Sequence, residues 1–332
     1  MKNQTLPIVC SIYSHKQNWE VNKKMLHSFL IVLGQTLSLF IMIAVGFGMY
    51  KAKRITDTGA AQMTDLLLYA VTPCVVINAF NRPFDPRTAL SIAIFAGVGA
   101  VFMTLSIIIG RVVYRKGEEN ARTVQQFAAA FSNCGFMGIP LAGAVCGEMG
   151  TLYASIFVVL FNLFQWTYGF AMMSGEKLSL RKAFINPCVM GLAAGLPIFL
   201  LSINIPSPVE NAVSMLAALN SPLAMIVIGT HLAKADLIST LKDTRCYFAS
   251  LLRLVLMPAV IMPIIIAIPW LDNHQTITLS VMFGAPVAAS CALFATKFRR
   301  DSTLASRLVA MSTLFSMATL PVLVSVVKTV IE

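Results

Sequence analysis

Along most of the chain, apolar residues follow one another in runs of about 20, the length a helix needs to cross a bilayer. Each run ends in charges, Gly/Pro or polar clusters. Ten are read, near 29–50, 63–81, 88–110, 124–146, 150–172, 184–203, 210–232, 246–268, 277–296 and 308–327. They predict an all-α membrane protein of ten transmembrane helices. The connections are too short for a second, soluble domain. Residues 1–28 differ: Lys2, Lys16, Lys23 and Lys24 mix with Asn, Gln and His around a brief apolar patch. That pattern fits neither a signal peptide nor a span, and it is read as an N-terminal extension.

Composition excludes an ordinary soluble protein. Of 332 residues, 57% are hydrophobic and 12% charged, against about 25% charged in soluble domains. The net charge of +11 does not point to nucleic acid, because the basic residues punctuate apolar runs instead of clustering on polar surface. Seventeen of the 25 lysines and arginines fall in the loops after the odd-numbered spans. Cytoplasmic loops retain such residues, so both termini are expected outside, with anionic lipid headgroups beside the basic face. A bacterial inner membrane is the expected location. The resulting division is an extension (1–28), a first five-helix unit (29–172), a cytoplasmic linker (173–183), a second five-helix unit (184–327) and an external tail (328–332).

The two units echo one another. Span 2 carries Thr72-Pro73 and span 7 Ser221-Pro222; span 4 carries Gly138-Ile139-Pro140 and span 9 Gly284-Ala285-Pro286. Pro73 lies 67 residues before Pro140, and Pro222 lies 64 before Pro286. Five is odd, so a second copy enters the membrane from the opposite side, which makes a 5+5 inverted repeat. Exact pairing stays open: the proline offsets are 149 and 146, while centring spans 4 and 9 sets Gly135 opposite Pro286.

Spans 4 and 9 do not read as continuous helices. The string from Ser132 to Pro140 concentrates Gly, Pro and Asn where lipid-facing helices carry Leu and Val. Unwound backbone at membrane depth is tolerated only in a protein interior or beside a wet cavity. Matching breaks in two halves are the best sequence pointer to a transport site.

At these residues the sequence resembles the auxin efflux carrier family, which includes plant auxin carriers and bacterial malonate and malate permeases. The match is carried by Leu67-Leu68-Tyr69-Ala70-Val71-Thr72-Pro73, by Asn133 with Met137-Gly138-Ile139-Pro140-Leu141, and by Asn186-Pro187. Further strings are Ser221-Pro222-Leu223-Ala224 with Gly229 and Leu232, Arg253-Leu254 with Pro258, and Pro286 with Phe294-Ala295. It covers residues 25–330. The resemblance implies crossed, broken helices 4 and 9, as in bile-acid symporters and sodium/proton antiporters, and a homodimer. Two positions depart from the family: Ser290 stands where many relatives have Asn, and His231 where small residues are usual.

Candidate substrate-binding residues are Ser132, Asn133, Cys134 and Gly135 in span 4, and Ala285, Pro286 and Ser290 in span 9. Asn133 leads, as an uncharged amide able to donate to a carboxylate beside free backbone donors. Gly138, Pro140 and Gly284, with Pro73 and Pro222, are the expected break and crossover positions. Three ionisable residues in or near spans, Asp65, His231 and Arg253, are read as gating or coupling groups. All three are placed near the cytoplasmic ends, within snorkelling reach, and none at the crossing. A site without carboxylates suits an anion better than a proton or sodium antiport. Enzyme and cofactor motifs do not emerge: the four histidines and seven cysteines are scattered, with no nucleotide-binding, nucleophile-elbow or zinc spacing. The expected activity is export of a small organic anion by alternating access, with spans 3–5 and 8–10 moving against spans 1, 2, 6 and 7. Alternatives are a sodium- or proton-coupled symporter and a membrane ligand sensor.

Overall fold

The computed structural model describes residues 6–178 and 186–331. These residues are helical throughout, apart from short connections. Helix α1 spans Leu6–Lys51, so the expected extension is helical from Leu6 and continuous with the first apolar run, residues 1–5 lying outside the described residues. Then come α2 (Asp57–Phe80), α3 (Pro86–Val113), α4 (Glu119–Ala130) and α5 (Cys134–Ser174). Residues 179–183 of the expected linker (173–183), with 184 and 185 after it, lie outside the described residues. The linker leads to α6 (Pro187–Leu200), α7 (Ser207–Lys234), a short α8 (Leu237–Lys242) and α9 (Thr244–Ile266). The chain closes with α10 (Asn273–Gly284), α11 (Ser290–Lys297) and α12 (Ser302–Ile331).

Among the described residues, seven stretches are long and apolar enough to cross a membrane: Val32–Lys51 of α1, together with α2, α3, α5, α7, α9 and α12. The shortfall against ten has local causes. Helix α6 has 14 residues. Two further expected spans are interrupted, one between α4 and α5 and one between α10 and α11. Helix α5, at 41 residues, contains a reversal at Gly147, whose φ of 63° and ψ of −145° suit only glycine. A Cβ on Gly150 would run into the Ala142 carbonyl, although eight residues of straight helix separate atoms by about 12 Å. The chain therefore folds back at Gly147, between the fourth and fifth apolar runs.

Three helices accommodate a proline by one repeated device. In α2 a wider, π-helical turn at Leu67–Val71 precedes Thr72-Pro73; in α5 one at Cys134–Gly138 precedes Ile139-Pro140; in α9 one at Leu252–Leu256 precedes Met257-Pro258. Proline lacks a donor and its ring presses on the carbonyl four residues back, and the extra residue in the turn makes room. Helix α7 solves the problem differently. It jogs at Leu219, so Pro222 sits in the first turn of the Asn220–Lys234 segment, where no intrahelical donor is needed.

Helix α1 packs along α7 and α12, α2 against α6, and α10 against α5 and α12. A Cβ at Gly191 of α6 would meet the Pro73 backbone, so the small Gly191/Gly195 face serves an intrachain contact. Outward faces carry exposed Leu30, Ile41, Leu90, Val101, Met190 and Val260, as lipid contact requires. Ion pairs gather at the basic end: Lys234–Asp57 (2.6 Å), Arg245–Asp243 (2.7 Å), Arg300–Glu119 (3.2 Å) and Arg307–Asp243 (3.5 Å). Hydrogen bonds from Arg245 hold the Asp243 carboxyl below the usual carboxylate range.

Candidate functional site at the helix crossing

The two interruptions meet. The Asn133 N–H donates to the Pro286 carbonyl (2.7 Å) and the Ala288 N–H to the Phe131 carbonyl (3.0 Å), with Ser132 and Val287 opposed as an antiparallel pair. Each extended segment thus supplies the partners that the other lost on leaving its helix. The Val287 N–H is taken by Ser312 Oγ of α12 at 3.1 Å. Two helices start from the crossing, α5 at Cys134 and α11 at Ser290, and among the described residues no side chain caps either start.

A cavity of about 80 Å³ lies at these starts. Ser132, Asn133 and Gly135 line one side, Ala289 and Ser290 the other. Thr72 of α2, Asn162 and Gln165 of α5 and Asn220 of α7 complete its polar lining. The Ser290 hydroxyl donates to Gln165 Oε1 at 2.6 Å. Asn133 Nδ2 and Asn220 Nδ2 have no partner among the described residues, although the two residues are only 5% and 4% exposed. A buried donor left unsatisfied costs about 1–3 kcal/mol. Among the described residues, no ionisable side chain lines this cavity.

The sequence matches a family described as "Membrane transport protein" over residues 31–179 and 174–324. The chain belongs to the auxin efflux carrier family of membrane transport proteins. A relative described as "Putative malonate transporter", from Rhizobium meliloti (strain 1021), is 24% identical over 217 residues, covering 61% of this chain and 67% of that protein.

In this carrier, Ser132, Asn133, Gly135 and Ser290 come together on one cavity, whereas the other expected substrate residues do not line it. Cys134 is buried at the head of α5. Ala285 and Pro286 contribute carbonyls to the crossing. Gly138 packs against Met282 and Gly284 against Leu323. Pro140 faces a separate hollow of about 310 Å³, which also meets Asn220 and Ile139. Asp65 is exposed on α2 and lines neither this hollow nor the cavity. His231 lines a cavity of about 60 Å³ toward the basic end, with Lys234, Ser306 and Thr313; Ala289 borders both this space and the central one. Lys234 pairs there with Asp57, which also accepts from the Tyr50 hydroxyl at 2.9 Å.

Arg253 requires a correction. Sequence reading places it within reach of a membrane face and away from the crossing. Instead it is 1% exposed and donates to carbonyls of the crossing helices. Counted from the start of α9 at Thr244, Arg253 lies about 14 Å along the helix, near the middle of a hydrocarbon core about 30 Å thick. At that depth, buried carbonyls are closer than any headgroup.

The residues missed from sequence are Thr72, Asn162, Gln165 and Asn220. A signal existed for each. Thr72 and Asn220 flank the mid-span prolines, and Asn162 and Gln165 share a helix face in an otherwise apolar run.

Proposed function

We propose that this carrier moves a small organic anion, a carboxylate of the malonate, malate or auxin-like class, by alternating access. The observation that carries the reading is the pair of amide donors, Asn133 and Asn220, that have no partner among the described residues and face a cavity at two helix starts where no described residue brings a charge. One carboxylate can accept from Asn133 Nδ2 and from the first-turn amides of α5. Asn220, Ser290 and the start of α11 remain for a second polar group. The positive ends of both helices favour negative charge. The Rhizobium relative, described as "Putative malonate transporter", supports the same substrate class.

The proposed architecture is ten crossings in a 5+5 inverted repeat. In it α4 with the first part of α5 forms the fourth crossing, and α10 with α11 the ninth. The reciprocal hydrogen bonds between Phe131–Asn133 and Pro286–Ala288 support a two-fold relation there. The basic end is proposed to face the cytoplasm, with both termini outside. Export of one negative charge across 100 mV, inside negative, then releases about 2.3 kcal/mol without a coupling ion.

Reconstitution tests the reading. Labelled malonate, malate or an indole carboxylate should move through proteoliposomes under an imposed potential, with neither a sodium nor a pH gradient. Strict dependence on either gradient would assign a symporter, and binding without flux a sensor. Asn133→Ala should weaken substrate affinity about 10- to 100-fold, as expected for loss of a hydrogen bond to a charged group. Unchanged flux and affinity in that variant reject the site.

A further inference from the structure

Arg253 is among the largest fully buried side chains, at 1% exposure. Among the described residues its hydrogen-bond partners are all backbone carbonyls: Nη1 donates to Ala129 (2.9 Å), Nε to Ala285 (3.2 Å) and Nη2 to Phe283 (3.2 Å). Ala129 lies in the last turn of α4, while Phe283 and Ala285 lie at the end of α10. One guanidinium, carried on the π-helical turn of α9, therefore closes the C-terminal ends of both helices that lead into the crossing. Its planar fork suits this task, since several donors leave it in fixed directions.

The electrical consequence follows from the helix ends. Each carries about half an elementary charge, negative at the C-terminus and positive at the N-terminus. The crossing gathers two of each kind, the C-termini of α4 and α10 and the N-termini of α5 and α11. By themselves the four cancel. A full positive charge placed on the two C-terminal ends leaves the two N-terminal ends unopposed, so the crossing carries about one net positive charge.

We propose that Arg253 sets the charge preference of the transport site: by neutralising the ends of α4 and α10, it makes a cavity lined by uncharged side chains selective for anions, and it holds the two broken segments together. The inference rests on the cavity being the substrate site. Arg253 does not line that cavity, so its role is that of a positioning and charge-supplying residue.

The test compares purified wild type with Arg253→Lys and Arg253→Gln. Binding of malonate and of its uncharged analogue malonamide is followed by thermal shift, and amide hydrogen exchange is followed over residues 128–134 and 283–290. Wild type should prefer malonate by at least about tenfold. Arg253→Lys keeps the charge and should keep that preference, at lower affinity. Arg253→Gln should reduce it to within about twofold and raise exchange in both segments about tenfold. A folded Arg253→Gln protein that retains the wild-type preference, or unchanged exchange in both segments, overturns the proposal. Should Arg253→Gln fail to fold, loss of the preference in Arg253→Lys overturns it, because charge is retained there. Wild type that binds neither compound rejects malonate as the substrate instead, and the exchange comparison still decides whether Arg253 holds the crossing.

Discussion

Asn133 and Asn220 each bury an amide donor that no described residue accepts, at a cost of about 1–3 kcal/mol apiece. An acceptor that enters the cavity offsets that cost. Asn220→Leu, close in size and without the donor, should therefore leave thermal stability unchanged or raised by a few degrees while lowering malonate affinity about tenfold. A melting curve and a binding titration on the same preparation check both halves. A fall in both would instead make Asn220 a structural residue. Of the cavity-lining side chains, Asn133 and Ser290 were legible from glycine, proline and polar residues concentrated inside apolar runs. Gln165 was marked only as a polar residue on the face of Asn162, and nothing in the string around it reveals that its side-chain oxygen accepts from the Ser290 hydroxyl 125 positions away. Arg253 was misjudged for a related reason: an arginine in an apolar run is read against the nearest membrane face, and the competing carbonyls belong to other helices.

Helices here are shaped by what interrupts them. Three tolerate proline by widening the preceding turn, whereas the reversal in α5 depends on Gly147 adopting a backbone conformation that a Cβ resists. Gly147→Ala should cost about 1–3 kcal/mol, seen as a lower melting temperature with little change in substrate affinity, since Gly147 does not line the cavity. At the start of α9, Asp243 caps the helix, accepting from the Arg245 N–H at 3.1 Å, and pairs with the side chains of Arg245 and Arg307. Its carboxyl is held below the ordinary range, so its contribution is complete above the unfolded value near 4. That contribution is lost as pH falls through the lower folded value. Asp243→Asn should accordingly lower stability at neutral pH and reduce its fall toward acid, measured by melting temperature from pH 7 to 3.

The proposed transport cycle belongs to the assembled molecule, since no single helix encloses the cavity. An uncoupled carrier for a monovalent anion brings its substrate to equilibrium with the membrane potential. At 100 mV that is about 2.3 kcal/mol per charge, or a roughly 50-fold concentration ratio. Proteoliposomes clamped with a potassium gradient and an ionophore should approach that ratio with a monoanionic substrate. A ratio near one under the same clamp excludes uniport.

Hydropathy identified the membrane-crossing runs, and glycine and proline marked where two of them break. Both are local properties: lipid acts on each segment separately, and a helix-breaking residue acts on its own turn. Charge distribution likewise favoured one orientation, because loops meet the membrane one at a time. Folding decided what local chemistry could not, namely that Ser132 meets Val287, that four helices pool neutral amides and hydroxyls around one cavity, and that Arg253 turns inward. Those features arise from contacts between distant positions, as in the 124-residue separation of Arg253 and Ala129. There the need to satisfy buried carbonyls and helix ends outweighs the pull of the membrane surface on a charged side chain.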